Sequence, residues 1–469
     1  MLKIGLTLSA AMASLAVAIS PAIAATPGYP QAEAQVLDLA MKSIAMRSVR
    51  GAGNRTGDVA ELYKQALIAA GWAAGDIEIT PVDDTAFLIA TWKGTDPALK
   101  PLVISGHMDV VEAKPADWQR DPFGPVVEDG ILYGRGATDM KFNGAMALSS
   151  LIELRRQGFK PKRTVVIEFS GDEETTMKTS GIIADKLKNA ELVINIDGGG
   201  GKLDEATGKP LFWSWDGAEK TYGDFKIEVT NAGGHSSAPR PDNAIVQLAQ
   251  ALSKVGAYTF PAEQNELTKA YFVKAARFEA DAALATAMRG FAANPGDAAA
   301  LAVLRANPAT VGKVGTTCVP TMVNAGHALN ALPQRATANI NCRIFPGHLR
   351  AEIMAQLGTV IGMPAVKISD VSDGSLETHA SPMRPDFVAA SEKAIQKAWG
   401  KAIVVVPSQA SGASDSMYYR AIDVPSYGAS PLFTKDSEEF SHGLNERVRL
   451  SNIRPGITYF VSLVTDLAK

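Results

Sequence analysis

Two imidazoles and a set of carboxylates are the residues of this chain whose types could do chemistry together: His107, Asp139, the adjacent Glu173 and Glu174, Asp197 and His442, with Asp109 two positions after His107. They are scattered along the sequence, yet they sit where apolar strands are expected to end. His107, His442, Asp139, Glu174 and Asp197 form a natural ligand set for two Zn2+ ions, with Co2+ or Mn2+ as substitutes. Glu173 is left over to act as a base. Three carboxylates against two divalent cations leave one positive charge, which a bridging hydroxide would neutralise while serving as the nucleophile.

Each residue has a plainer explanation when taken alone. Residues i and i+2 of a strand point the same way, so His107 and Asp109 emerge together beyond the apolar run Leu102-Val103-Ile104. Asp109 would then orient the imidazole or act from behind the ligands. Asp139 follows Gly134-Arg135-Gly136-Ala137-Thr138, a tight loop that could bring its carboxylate between two cations, though a helix N-cap also fits its position. The acidic run Asp172-Glu173-Glu174 would ordinarily be a solvated turn. Directly after a strand, the same run lets one carboxylate ligate while its neighbour faces water. Asp197 precedes Gly198-Gly199-Gly200-Gly201, whose missing side chains would leave room for metal and substrate.

The elements that must position these groups are legible from periodicity. Apolar strands at 101–106, 164–169 and 192–196 and an amphipathic helix at 143–157 indicate an α/β catalytic domain with a mostly parallel sheet. Ligands in such folds gather at the carboxyl ends of the strands. The rhythm changes near Tyr222, where 224–230 alternates cleanly and a helix follows at 242–255. Alternating segments at 321–326 and 336–345 complete an inserted α+β unit. The expected organisation is a signal peptide at 1–24, a catalytic domain at 25–220 and 352–469, and a lid at 221–351 carrying an alanine-rich helical insert at 260–312.

Composition narrows the classes. A 469-residue chain, 46% hydrophobic and 20% charged, is long enough to bury ample core, and its net charge of −3 offers no basic field for nucleic acid or an anionic membrane. Lys3, a short apolar run and Ala22-Ile23-Ala24 read as a secretory signal cleaved after Ala24, so the expected location is secreted or periplasmic. Export allows a disulfide. Cys318 and Cys342 flank an expected hairpin around 328–335, but strand geometry is restrictive and the sequence leaves their bridging open.

The ordered motifs resemble the M20 family of zinc metallopeptidases and amidohydrolases over nearly the whole chain after residue 24. The resemblance rests on Ser105-Gly106-His107-Met108-Asp109, the segment 134–141 and Asp172-Glu173-Glu174. It implies that His107 and Asp197 hold one zinc, Glu174 and His442 the other, and Asp139 bridges them. Asp109 would support His107, and Glu173 would be the general base on a metal-bridging water. It also implies a cis peptide at Asp139-Met140. Gly233-Gly234-His235-Ser236 resembles the lid motif whose histidine stabilises the tetrahedral intermediate, often across a dimer interface. Asn330, Arg343 and Gly412 match substrate-contacting positions, Arg343 being suited to a terminal carboxylate. Asp415 could be no more than a helix N-cap.

Thr316-Thr317-Cys318 and Asn341-Cys342-Arg343 resemble the carboxypeptidase S-like branch most closely. The implied activity is cleavage of an amide next to a free C-terminal carboxylate in a small peptide, with an N-acyl amino acid as the alternative substrate. A homodimer through the lid is also implied. A non-catalytic peptide-binding protein is the alternative from another class. Trp213 and Trp215 are expected in the core rather than in a pocket.

Overall fold

The structure is a computed structural model and describes residues 28–469. The expected signal peptide lies outside the described residues. At the centre of a ten-stranded sheet, Leu102–His107 runs parallel to Val165–Ser170 on one side and to Leu192–Asn195 on the other. All three strands are buried along their full length, as continuous apolar runs require. Their period of two sorts the side chains. Ile104, Ile167 and Ile194 join the larger core, while Val103, Val166 and Val193 face the opposite one.

The larger core is closed by helices Pro30–Ile44, Lys141–Arg156, Pro385–Trp399 and Ile453–Leu467, and the opposite face by Lys178–Lys186 and Ser416–Arg420. Outside the parallel centre the sheet is mixed. Thr85–Trp92 and Ile77–Val82 extend one side in antiparallel fashion. Ser426–Gly428, Pro210–Glu219, Val404–Ala410, Gly200–Leu203 and Phe433–Thr434 build the other side with both senses of pairing.

A second, four-stranded antiparallel sheet runs in the order Thr317–Ala325, Arg335–Ile344, Thr221–Thr230, Val366–Asp370. Thr221–Thr230 buries alternate residues under helices Ala244–Ala257 and Arg350–Ile361, so this unit has its own core. It therefore extends past 351, through a helix and strand expected in the catalytic part, because Ile353, Leu357 and Ile361 bury their apolar faces here. Cys318 and Cys342 are direct cross-strand partners and form a disulfide.

The helical block also departs from expectation. Its helices Glu266–Ala275, Ala282–Ala293 and Ala298–Ala306 begin at the side-chain caps Asn265, Asp281 and Asp297. They pack with Phe212, Val404 and Val406 of the large sheet, not with the four-stranded sheet into whose sequence they are inserted. Trp213 and Trp215 are core residues, as expected: Trp213 donates to the Ser430 carbonyl at 2.7 Å, and Trp215 packs edge-on against Phe387 and Tyr427.

Candidate metal centre

Parallel pairing sets His107 opposite Ser170 and Ser105 opposite both Glu168 and Asn195, so the segments carrying Glu173, Glu174 and Asp197 leave the sheet at the same edge as His107. His107 Nδ1 lies 3.0 Å from the Asp109 carbonyl oxygen, to which it donates. That bond aims Nε2 at the carboxylates, 3.0 Å from Asp139 Oδ1, to which it donates, and 3.7 Å from Asp197 Oδ2; freed of its proton, Nε2 would be the ligating nitrogen. The Asp109 carboxylate is 3.5 Å from Nδ1, and its two oxygens accept the Glu173 and Glu174 backbone N–H groups at 3.1 Å each. Asp109 thus orients the glutamate pair as well as the imidazole, a task that sequence reasoning did not assign to it.

Asp139 is shared. Its Oδ1 faces His107, while its Oδ2 lies 3.1 Å from His442 Nε2, which is itself 2.9 Å from Glu174 Oε2. Asp139 is not a helix cap, since the following helix starts at Lys141 after Met140 and has no side-chain cap. The Asp139-Met140 peptide is cis, as the resemblance implied. Donor atoms converge within 4.8 Å in three groups: His107, Asp139 and Asp197; Asp139, Glu174 and His442; and His107, Glu173 and Glu174. Two groups sharing one carboxylate match the chemistry of two adjacent divalent cations, and the residues fit such a pair.

Electrostatics agree with that fit. Burial, reinforced by the negative Asp139, pushes Asp197 up to about 7. Burial likewise holds Glu173 well above the usual carboxylate range, with Asp197, Asp415 and Glu174 adding to the effect and His107 opposing it. Asp139 stays low despite burial because both histidines donate to it. Hydrogen bonds to Asp139 and Glu174 raise His442 to about 10. Crowded carboxylates of this kind favour cations.

One residue essential to this geometry escaped sequence reasoning. Glu446 is fully buried. Its Oε1 accepts from Thr138 N at 2.7 Å, Thr138 Oγ1 at 3.0 Å and Asp139 N at 3.0 Å, while its Oε2 accepts from Gly136 N at 3.0 Å and pairs with Arg135 Nη1 at 2.7 Å. It clamps the loop that presents Asp139. The available signal was its place four residues after His442.

The centre opens into a cleft of about 670 Å³ lined by Asp139, Glu173, Glu174, Asp197, His442, Gly412 and the 198–201 glycine run. The glycines also serve packing: a Cβ on Gly199, whose φ is +70°, would sit 2.6 Å from the carbonyl oxygens of Ser214 and Gly428. Asp415 makes no cap bond. It lies buried behind the centre and accepts from Ser170 Oγ at 2.7 Å.

Within one chain, His235, expected to stabilise the tetrahedral intermediate, and the expected substrate contacts Asn330 and Arg343 do not line this cleft. His235 and Asn330 are exposed on the four-stranded unit, where Ser236 N donates to the Asn330 carbonyl at 3.0 Å. Arg343 lies over the Tyr222 ring, 4.9 Å from its centroid. The separation follows from their position on a unit with its own core, displaced from the sheet edge that carries the ligands.

A mixed α/β sheet with clustered histidine and carboxylate donors at its strand ends and a separate inserted unit defines a metal-dependent hydrolase architecture. The chain belongs to peptidase family M20/M25/M40, which matches residues 103–466, and it is a hydrolase of amide bonds. It is 28% identical over 397 residues to "Probable carboxypeptidase S-like 2" of Dictyostelium discoideum, covering 81% of this chain and 74% of that protein. It is 27% identical over 389 residues to the mouse "N-fatty-acyl-amino acid synthase/hydrolase PM20D1", covering 80% and 76%. The fold resembles an M20 family metallo-carboxypeptidase from Sulfolobus solfataricus, with TM-score 0.70 and 18% identity over 92% of this chain and 98% of that one. It also resembles a dinuclear metal binding peptidase of Bacillus subtilis, with TM-score 0.58 and 14% identity over 94% and 98%.

Proposed function

We propose that this chain is an exported di-zinc hydrolase that cleaves an amide next to a free C-terminal carboxylate, as a carboxypeptidase or dipeptidase does. The observation that carries the reading is Asp139, whose two oxygens face two separate donor groups. His107 and Asp197 would hold one ion, Glu174 and His442 the other, and Asp139 would bridge them. Bound divalent ions would supply Lewis acidity for the substrate carbonyl and a lowered pKa for water.

The chain's own residues do the proton work. Glu173 stands beside the ligands with its pKa raised by burial, poised to accept a proton from attacking water. As the new C–O bond forms and the C–N bond breaks, Glu173 returns that proton to the leaving nitrogen. Asp109 fixes the backbone of Glu173 and Glu174 throughout.

A second reading, an N-acyl amino acid amidohydrolase, is supported by the PM20D1 relatives and by the apolar Phe212, Tyr271 and Leu432 in the cleft wall. A homodimer is supported by the edge strand Thr317–Ala325, which exposes Val319, Met322 and Val323. A partner copy would be the source of a His235 within reach of the cleft.

The test is metal-loaded protein starting at Ala25, incubated with dipeptides, tripeptides and N-acyl amino acids, with released amino acids followed by mass spectrometry and Glu173→Ala as control. Release from peptides, lost in the control, supports the peptidase. Release from acylated amino acids alone selects the second reading, and no release from any substrate refutes both. Light scattering reads the dimer, and N-terminal sequencing of exported protein reads the cleavage.

A further inference from the structure

Asn195 ends the strand Leu192–Asn195, two residues before Asp197, and is buried. By the period of two it shares a strand face with Val193, under the helices Lys178–Lys186 and Ser416–Arg420. An amide in such a place is costly unless its polar atoms find partners. They do. Oδ1 accepts from Asp197 N at 2.8 Å, and Nδ2 donates to Ser414 Oγ and Ser416 Oγ at 3.0 Å each. Chemistry fixes this orientation of the amide, because the Asp197 N–H can only donate and must meet the oxygen. The Ser414 hydroxyl is fully used as well. It gives its proton to Glu219 Oε1 and accepts from Asn195 Nδ2 and, at 3.2 Å, from Ser416 N. Glu219 is held in turn by Arg420 at 2.8 Å.

The bond between Asn195 and Asp197 taken alone is an Asx-turn, a local way to end a strand. The bonds to the serines reach further. Ser414 follows Gly412 and Ala413 in the loop that walls the cleft, and Ser414, Glu219 and Asp197 all line that cleft. The Asp197 carboxylate lies 3.7 Å from His107 Nε2, which leaves its backbone turn to aim it. We propose that Asn195 is a positioning residue that couples the cleft wall at 412–414 to Asp197, so that the aim of this ligand depends on where the wall stands. This rests on the ligand set proposed above and adds the hidden joint between ligand and wall.

The test reads metal binding, not turnover. Metal-depleted protein starting at Ala25 is titrated calorimetrically with Zn2+ against a competing chelator, and unfolding of the metal-free form is followed beside it. Asn195→Leu should weaken one of the two ions roughly 10–100-fold, the usual cost of losing such an outer support, and leave the other unchanged. Asn195→Thr keeps a neutral acceptor for the Asp197 N–H in the same kind of turn, but is too short to reach the serines. It should show the same selective loss, and it replaces the leucine variant if that protein does not fold. Ser414→Ala should weaken the same ion, and combining it with either Asn195 variant should add nothing, as expected when both changes break one connection. With Co2+ in place of Zn2+, the visible spectrum of Asn195→Thr should change in the bands of that ion alone. Wild-type affinity in Asn195→Thr would reduce the residue to a local turn and overturn the proposal. So would equal weakening of both ions, no effect of Ser414→Ala, or additive losses in the double variant. Fewer than two ions bound by the unmutated protein overturns the dinuclear reading and this inference with it. Two ions bound with the selective losses, but no amide hydrolysed, sinks the function reading and leaves the Asn195 assignment standing.

Discussion

Replacing Glu446 with Gln should loosen the metal centre without touching a single proposed ligand. The glutamate carboxylate is met by three backbone N–H groups, the Thr138 hydroxyl and the Arg135 guanidinium, all inside the protein. A carboxamide is the same size but has one acceptor oxygen, so its NH2 must face either the Arg135 and Gly136 donors or those of Thr138 and Asp139. Arg135 is itself buried, so its charge is left without a partner. Removing one member of a buried pair typically costs about 3–5 kcal/mol. Part of this should appear as lost stability and part as displacement of the 135–139 loop. Loss of such an outer support usually lowers metal affinity by about 10–100-fold, or roughly 1.4–2.7 kcal/mol.

The assay is calorimetric titration of metal-free protein with Zn2+, run beside thermal unfolding. Glu446→Gln should show weaker binding and a lower unfolding temperature. Adding Arg135→Met should recover stability, because the stranded charge is gone, but not affinity, because the backbone donors still face a carboxamide. Wild-type affinity and wild-type unfolding in Glu446→Gln would refute the clamp.

Three further outcomes are expected. Burial, aided by the nearby Asp415 charge, pushes Glu168 up to about 8. Between the unfolded value of about 4.3 and that pH the folded state binds a proton that the unfolded state lacks, so this group's contribution is present at low pH and is lost as pH rises towards 8. Glu168→Gln should flatten that decline and gain on the order of a few kcal/mol at its upper end; denaturation midpoints from pH 5 to 8.5 that run parallel for both proteins would count against it. Replacing Cys318 and Cys342 by Ser opens a loop with a sequence separation of 24. The chain-entropy cost is about 3.5 kcal/mol, read as lost hydrogen-exchange protection in strands 317–325 and 335–344, and unchanged protection would contradict it. Gly199→Ala should destabilise by about 1–3 kcal/mol, since backbone oxygens at 2.6 Å cannot give way like a side chain, and an unchanged unfolding temperature would show that the turn relaxes freely.

How much of this was legible in the sequence depended on how local each signal is. His107 and Asp109 could be paired because a strand repeats every two residues. Glu174 and Asp197 could be placed because each follows a run apolar enough to be a buried strand. Those periodicities determine the parallel centre of the sheet, and with it the edge at which the ligands collect. No local periodicity joins His442 to Asp139 and Glu174; the family resemblance implied that grouping and the tertiary structure brings the three together, whereas only the tertiary structure revealed Glu446, because a buried glutamate has no local pattern and its partners lie some 310 residues away. Only the tertiary structure decided that the alanine-rich helices dock on Val404 and Val406, since an apolar stripe calls for burial without naming the surface that provides it. The same holds for His235, Asn330 and Arg343: sequence can mark them as members of a motif, but their distance from the metal centre is set by where a separately folded unit sits.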